Sequence, residues 1–346
     1  MLFHKASGAG TASNPPPIKR HLRKAAAMVT LILAVAAVCA FTFAPAPADA
    51  ANAAALQTQI VGFDPGGTGT LSASVSGSTV TVTGTVTGAT NNLDLNIDPG
   101  VTVKWQAAYS GNMSMHQSLI DIRGTGMFEV VAGGFLEDNG EGYTVLLNSD
   151  SSKITVSGGT VSSVSGRAIC INDNNATVIV SGGTVSTVSG SAINVSHEWG
   201  DDRYANITVS GGTVSSVSGI AIRSESPQST ITVSGTGEVK ATGTGSAIGL
   251  MGNETTRDSS FGKIFVNGGT VSATTGSAIL AESKNSTVTV NGGQVKATGI
   301  GKAISVTSDS SSSTVSVNGG TVSATTGRAI DSQSASSSVT VSSGLV

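Results

Sequence analysis

Charge and aromatic rings are both scarce in this sequence. Charged side chains make up 11% and aromatic ones 4% of its 346 residues, and the net charge is −3. Five of the eighteen Lys and Arg and one of the twenty-one acids lie before residue 51, which leaves thirteen against twenty, a net of −7, on the remainder. A nucleic-acid partner needs a basic footprint, and none is present. Cysteine is nearly absent: Cys39 falls in an apolar leader, so Cys170 stands alone beyond it and no intrachain disulfide is available there. The four histidines, His4, His21, His116 and His197, argue against a zinc site or a Ser-His-Asp triad. A 3.6-residue period is missing too, which excludes helical repeats of TPR or ankyrin type. Small β-branched residues are plentiful and evenly spaced, a pattern that a disordered chain does not need. Glycine is the other abundant residue, at 45.

The first fifty residues read as an export signal. Residues 19–24, KRHLRK, precede an apolar run over 25–44, and Ala48-Asp49-Ala50 forms a small-x-small exit. The expectation is a signal peptide over 1–50, cleaved after Ala50, and a secreted or cell-surface protein. The alternative is an uncleaved anchor, since twenty apolar residues just span a bilayer; membrane contact is expected only in that case. Cys39 lacks the Leu and small neighbour of a lipoprotein site, because Ala36-Ala37-Val38 precede it. Residues 51–77 read as a linker with a turn at PGGTG, and strand begins with the alternating STVTVTGTVTG at 78–88.

From residue 154 a repeat takes over. ITVSGGTVSSVSGRAI returns as VIVSGGTVSTVSGSAI from Val178 and ITVSGGTVSSVSGIAI from Ile207. Its SGG or equivalent starts at Ser157, Ser181, Ser210, Ser234, Asn267, Asn291 and Asn318, with an altered one at Ser342. Each copy divides into three short strands: Ile-x-Val, Thr-Val-Ser and Ala-Ile-x-x. Strand neighbours point to opposite faces, so Ile154 and Val156 share one face and Thr155 takes the other. Stacking the copies makes aliphatic columns that begin at Ile154, Val156, Val161 and Ile169. A single copy cannot bury these residues, but stacked coils can. The expectation is an all-β chain, a right-handed, single-stranded parallel β-helix (β-solenoid) over 78–346, of roughly ten coils.

LIDIRGTGMFEVVAGG, followed by the repeated V-x-V-S/N-G-G-T-V-S-S/A-x-S/T-G-x-A-I, resembles exported bacterial parallel β-helix repeat proteins. These are adhesin-like surface proteins with a pectate-lyase-like solenoid, and the resemblance covers roughly residues 90–346. It implies a surface location and contact with glycans or cells. Because the family also includes polysaccharide lyases, a carbohydrate-active enzyme is the alternative and a structural spacer the third reading.

The departures from the repeat are where a site is expected, since loops carry function. Loops 194–206 and 249–263 are the longest and arise two coils apart, with bases about 9.6 Å apart. They hold His197, Glu198, Trp199, Asp201, Asp202, Arg203, Tyr204, Glu254, Arg257, Asp258 and Phe261, the candidate ligand-binding set. Trp199 or Tyr204 would stack on a sugar ring while carboxylates and Arg bond its hydroxyls; the plainer reading is a set of solvated insertions. No cofactor is expected. Ca²⁺ is an option through Glu198 with Asp201 and Asp202, or through Asp138-Asn139-Gly140-Glu141, without a specific motif behind it. No catalytic residue is expected: a glycosidase needs two carboxylates, and nothing in the sequence aligns Glu198 with Glu254. Cys170 is expected to point outward, and an uncovered strand edge is expected after Val346.

Overall fold

The computed structural model describes residues 48–196, 204–226, 228–252, 261–308, 310–334 and 336–346. Among the described residues, every element beyond one helix is a strand. The strands form a broad sheet of nineteen and a narrow sheet of ten, the narrow sheet taking one strand from each of ten coils. Apart from the first hairpin, every pairing is parallel, so the chain is a β-solenoid of about ten stacked turns.

The register matches the columns read from the repeat. Ile154 pairs with Val178, Val178 with Ile207 and Ile207 with Ile231, and the series runs on to Val339. In the other direction it continues through Phe128 and Val103 to Val80. The Val161 and Ile169 columns behave alike. Except at the last coil, where Val339 is exposed, these side chains are buried in one continuous core, whose early coils are filled by Trp105, Tyr109 and Phe128. The Trp105 ring lies 5.7 Å from that of Tyr109 and 5.8 Å from that of Phe128, a tilted arrangement favoured by aromatic quadrupoles.

Glycine marks the corner between the broad and narrow sheets. Successive coils stack so tightly there that a Cβ on Gly190 would collide with the Gly166 carbonyl oxygen. The hydroxyl three residues earlier anchors the same turn: Ser163 accepts from the Gly166 N–H at 3.0 Å, and Ser216 from Gly219 at 2.9 Å.

Residues 51–77 are not a linker. Helix α1 (Ala48–Val61) packs on strands β1 (Thr68–Ser76) and β2 (Thr79–Ala89), which form an antiparallel hairpin. Ala53, Leu56 and Ile60 recur at helical spacing and are buried in the core cluster, while Gln57 Nε2 donates to the Ala73 carbonyl at 2.9 Å. Strand β2 then pairs in parallel with the next coil, so helix and hairpin are continuous with the solenoid. Cys170 is also not where the sequence placed it. It is 1% exposed, and neither its position nor that of Asn194 in the next coil is a solvated surface.

Candidate ligand groove on the narrow sheet

The outer faces of the two sheets carry different chemistry. On the broad sheet the row beside the Ile154 column reads Thr155, Ile179, Thr208, Thr232, Phe265, Thr289, Ser316 and Thr340 from coil to coil. A second row reads Thr160, Thr184 and Thr213. These stretches are regular hydroxyls; further along the stack the same face carries Lys104 and Glu129 at one end and Glu238 and Lys240 past Thr213. The narrow sheet carries Asp121, Leu146, Cys170, Asn194 and Arg223 in one row, of which Leu146 and Arg223 are half-buried and the others buried, with Tyr143 opposite Arg167 beside it.

A groove of about 450 Å³ runs across the edge of the narrow sheet, lined by Glu141, Tyr143, Arg167, Arg223 and Met251 among others. Tyr143 and Arg167 face each other on neighbouring coils, which brings the guanidinium carbon 5.2 Å from the ring centroid. Arg167 Nη1 also donates to the Tyr143 hydroxyl at 3.0 Å and reaches the Cys170 Sγ at 3.8 Å. The same hydroxyl lies 3.3 Å from His116 Nδ1. His116 sits in the left-handed backbone region, φ +66, which is uncommon for a residue with a Cβ. Two coils on, Arg223 pairs with Glu225 at 2.6 Å.

One rim of the groove is apolar. Val164, Val188 and Val217 occupy equivalent turn positions in three successive coils and are exposed next to the lining residues Ser165, Ser189 and Gly219. Later coils put Thr at that position: Thr274, Thr298 and Thr325 donate their hydroxyls to carbonyls of the preceding coil at 3.2–3.5 Å. The valines therefore stand only beside the groove, where a hydroxyl would serve the fold equally well.

Polar clusters stand on the narrow sheet at either side of the groove. Asp121, buried, accepts from Arg123 at 3.2 Å and Asn148 at 3.0 Å; that hydrogen bond and the carboxylate charge push the Arg123 pKa up. Asp331 is also buried and takes Lys302 Nζ at 2.5 Å and Arg328 Nη1 at 2.7 Å, with Gln333 at 3.0 Å. The Lys302 contact leads the effects that hold its carboxyl down at about 2.

Of the residues picked from the long loops, Tyr204 and Phe261 are described. Both are exposed, at 36% and 51%, each just before the first strand of its coil. His197, Glu198, Trp199, Asp201, Asp202, Arg203, Glu254, Arg257 and Asp258 lie outside the described residues. The two loops do leave from strands Ser191–Val195 and Ile248–Leu250 of the narrow sheet, the sheet that carries the groove.

Asp138 is not a surface metal ligand. It is fully buried at the inner corner, in register with Ser163, and accepts from the Met113 N–H at 2.7 Å and the Gly140 N–H at 3.3 Å. Desolvation pushes its pKa up against the opposing effect of these amides. Among the described residues no three His, Cys, Asp or Glu side chains converge.

The groove was missed because its residues sit inside the repeat rather than in the insertions. The signal was the variable x of G-x-A-I, which reads Arg167, Ser191, Ile220, Ser246, Ser277, Lys302 and Arg328 down the stack. Three of these, Arg167, Ser191 and Ile220, line the groove. No protein family, no curated protein and no solved structure matches this chain.

Proposed function

We propose that the chain is an exported, non-catalytic β-solenoid that contacts glycans or cell-surface ligands with the outer face of its narrow sheet. Export rests on the basic head, apolar core and A-x-A exit before residue 51. The binding role rests on one observation: in a chain with so little charge and so few rings, Tyr143, His116, Glu141, Arg167 and Arg223 line a single groove. Tyr143 holds the Arg167 guanidinium, so little side-chain freedom is lost when that planar fork bonds adjacent hydroxyls or a carboxylate. Ile220 and Met251 offer apolar surface to the C–H face of a sugar. Tyr204, an exposed ring at the end of a loop that leaves from the same sheet, is a further candidate for stacking. A glycan array of the exported chain against Arg167→Ala tests this reading. Signal that falls about tenfold or more supports it, in line with charge-assisted contacts worth about 1.5–3 kcal/mol. Unchanged binding by Arg167→Ala sinks it, and no binding by the wild type leaves the spacer role.

A second reading, a polysaccharide lyase or other carbohydrate-active enzyme, is favoured by the placement of the Tyr143 hydroxyl between His116 and Arg167. A phenol oxygen that accepts from a guanidinium and lies beside an imidazole base is suited to proton transfer at a bound sugar. Ultraviolet absorbance from unsaturated products on acidic polysaccharides, lost in Tyr143→Phe, would establish it.

A further inference from the structure

The repeat changes from SGG to NGG at Asn267, Asn291 and Asn318, and these three side chains form a ladder on one exposed corner. Asn291 Nδ2 donates to Asn267 Oδ1 at 2.8 Å, Asn318 Nδ2 donates to Asn291 Oδ1 at 3.0 Å, and Ser342 Oγ donates to Asn318 Oδ1 at 3.0 Å. Each Asn is followed by Gly, the neighbour whose backbone nitrogen meets least steric hindrance in attacking the side-chain amide. Such an attack forms a bond from the Gly nitrogen to Cγ and breaks the Cγ–Nδ2 bond. Ammonia leaves with the Gly proton, and water opens the resulting succinimide to aspartate or isoaspartate.

The ladder makes the three amides unequal. In Asn291 and Asn318 the leaving Nδ2 is held by the Oδ1 of the preceding coil. Conversion there would replace a donor with a carboxylate oxygen facing an acceptor. Asn267 is the first rung: the coil before it offers Ser234 at this corner, and Asn267 Nδ2 makes no such bond, while its Oδ1 is an acceptor in the ladder. A carboxylate at 267 would accept from Asn291 Nδ2 more strongly than the amide does. We infer that Asn267-Gly268 is a self-deamidation site of this protein, and that the ladder protects Asn291 and Asn318.

The test is incubation of the purified full chain at mildly alkaline pH in ¹⁸O-water, with peptide mapping of the three sites by mass spectrometry. Asn267 is expected to convert at least about fivefold faster than the other two, the factor one ordinary hydrogen bond is worth. In urea the three sites, VNGGT, VNGGQ and VNGGT, are expected to converge. Asn291→Ala, which removes the acceptor for Asn318 Nδ2, is expected to raise conversion at Asn318 by a similar factor. Equal rates in the folded chain, or a hierarchy that persists in urea, would overturn the inference.

Discussion

The broad and narrow sheets are built by the same repeat and stacked in the same register, yet they present opposite surfaces. The broad sheet shows mostly the repeat itself, Thr and Ser in rows that stay solvated and suit a strand, interrupted by charges such as the Lys104–Glu129 and Lys240–Glu238 pairs. The narrow sheet shows what differs between copies: Asp121, Arg167, Arg223 and Asp331. A solenoid fixes its inner columns by packing and leaves its outer rows free to vary. Variation from copy to copy in the two outward rows of the narrow sheet is therefore free to build a surface, and its half-buried members Arg167 and Arg223 line the groove.

The comparison breaks most severely at the corner the two sheets share. Gly190→Ala would drive a Cβ into the Gly166 carbonyl, where the nearest atoms are all backbone of the preceding coil and no side chain can yield. The expected loss is about 3–5 kcal/mol, the range of severe backbone conflicts, read as a lowered urea midpoint. A loss below about 1 kcal/mol would show that coils separate there at little cost.

Next in size is the acid response of Asp331. Its folded pKa is held near 2, below the value of about 3.9 for a free aspartate. Stability from this group is therefore complete above about pH 4 and lost as pH falls through about 2. Lys302 and Arg328 are partly exposed, so the contribution is about 1 kcal/mol rather than the full value of the shift. Asp331→Asn should remove that part of the acid dependence, and an unchanged acid transition would count against the cluster.

Asp138 has the opposite sign. Its folded pKa is raised by desolvation, so the charged form costs stability above that pKa, and the cost disappears once the group is protonated in both states. Asp138→Asn keeps an acceptor for Met113 and Gly140 and removes the charge, and is expected to be the more stable protein at neutral pH. The advantage should vanish below about pH 4. Asp138→Ala, which leaves both amides unpaired, is expected to be less stable at every pH.

The core was legible in the sequence because period-two alternation and a fixed repeat length force Ile154, Val178 and Ile207 into one column whatever the surface does. Three features were not legible. Helix α1 lies in an Ala-rich stretch whose few apolar residues gain a face only when packed on the hairpin. Asp138 follows the alternation and shares the inward face of its strand with Leu136, but as a carboxylate in a polar run it reads as a solvated loop residue. Arg167 and Tyr143 are single letters inside a regular phrase, and only the stacking register brings them together.

The smallest predicted effect separates the two sheets most cleanly. Thr208→Val keeps the β-branched shape on the broad sheet, between Ile179 and Thr232, where the protein itself already uses an aliphatic residue. Its stability should stay within about 0.5 kcal/mol of wild type, and glycan binding should not change. The matching change on the narrow sheet, Arg223→Val, strips the partner from Glu225 at the groove edge. That variant should also lose little stability, as a partly exposed pair is worth about 0–1 kcal/mol. Yet it should weaken glycan binding severalfold. Equal binding by the two variants would mean that the narrow sheet's charges are ornament on a scaffold, and the distinction between the sheets would fall.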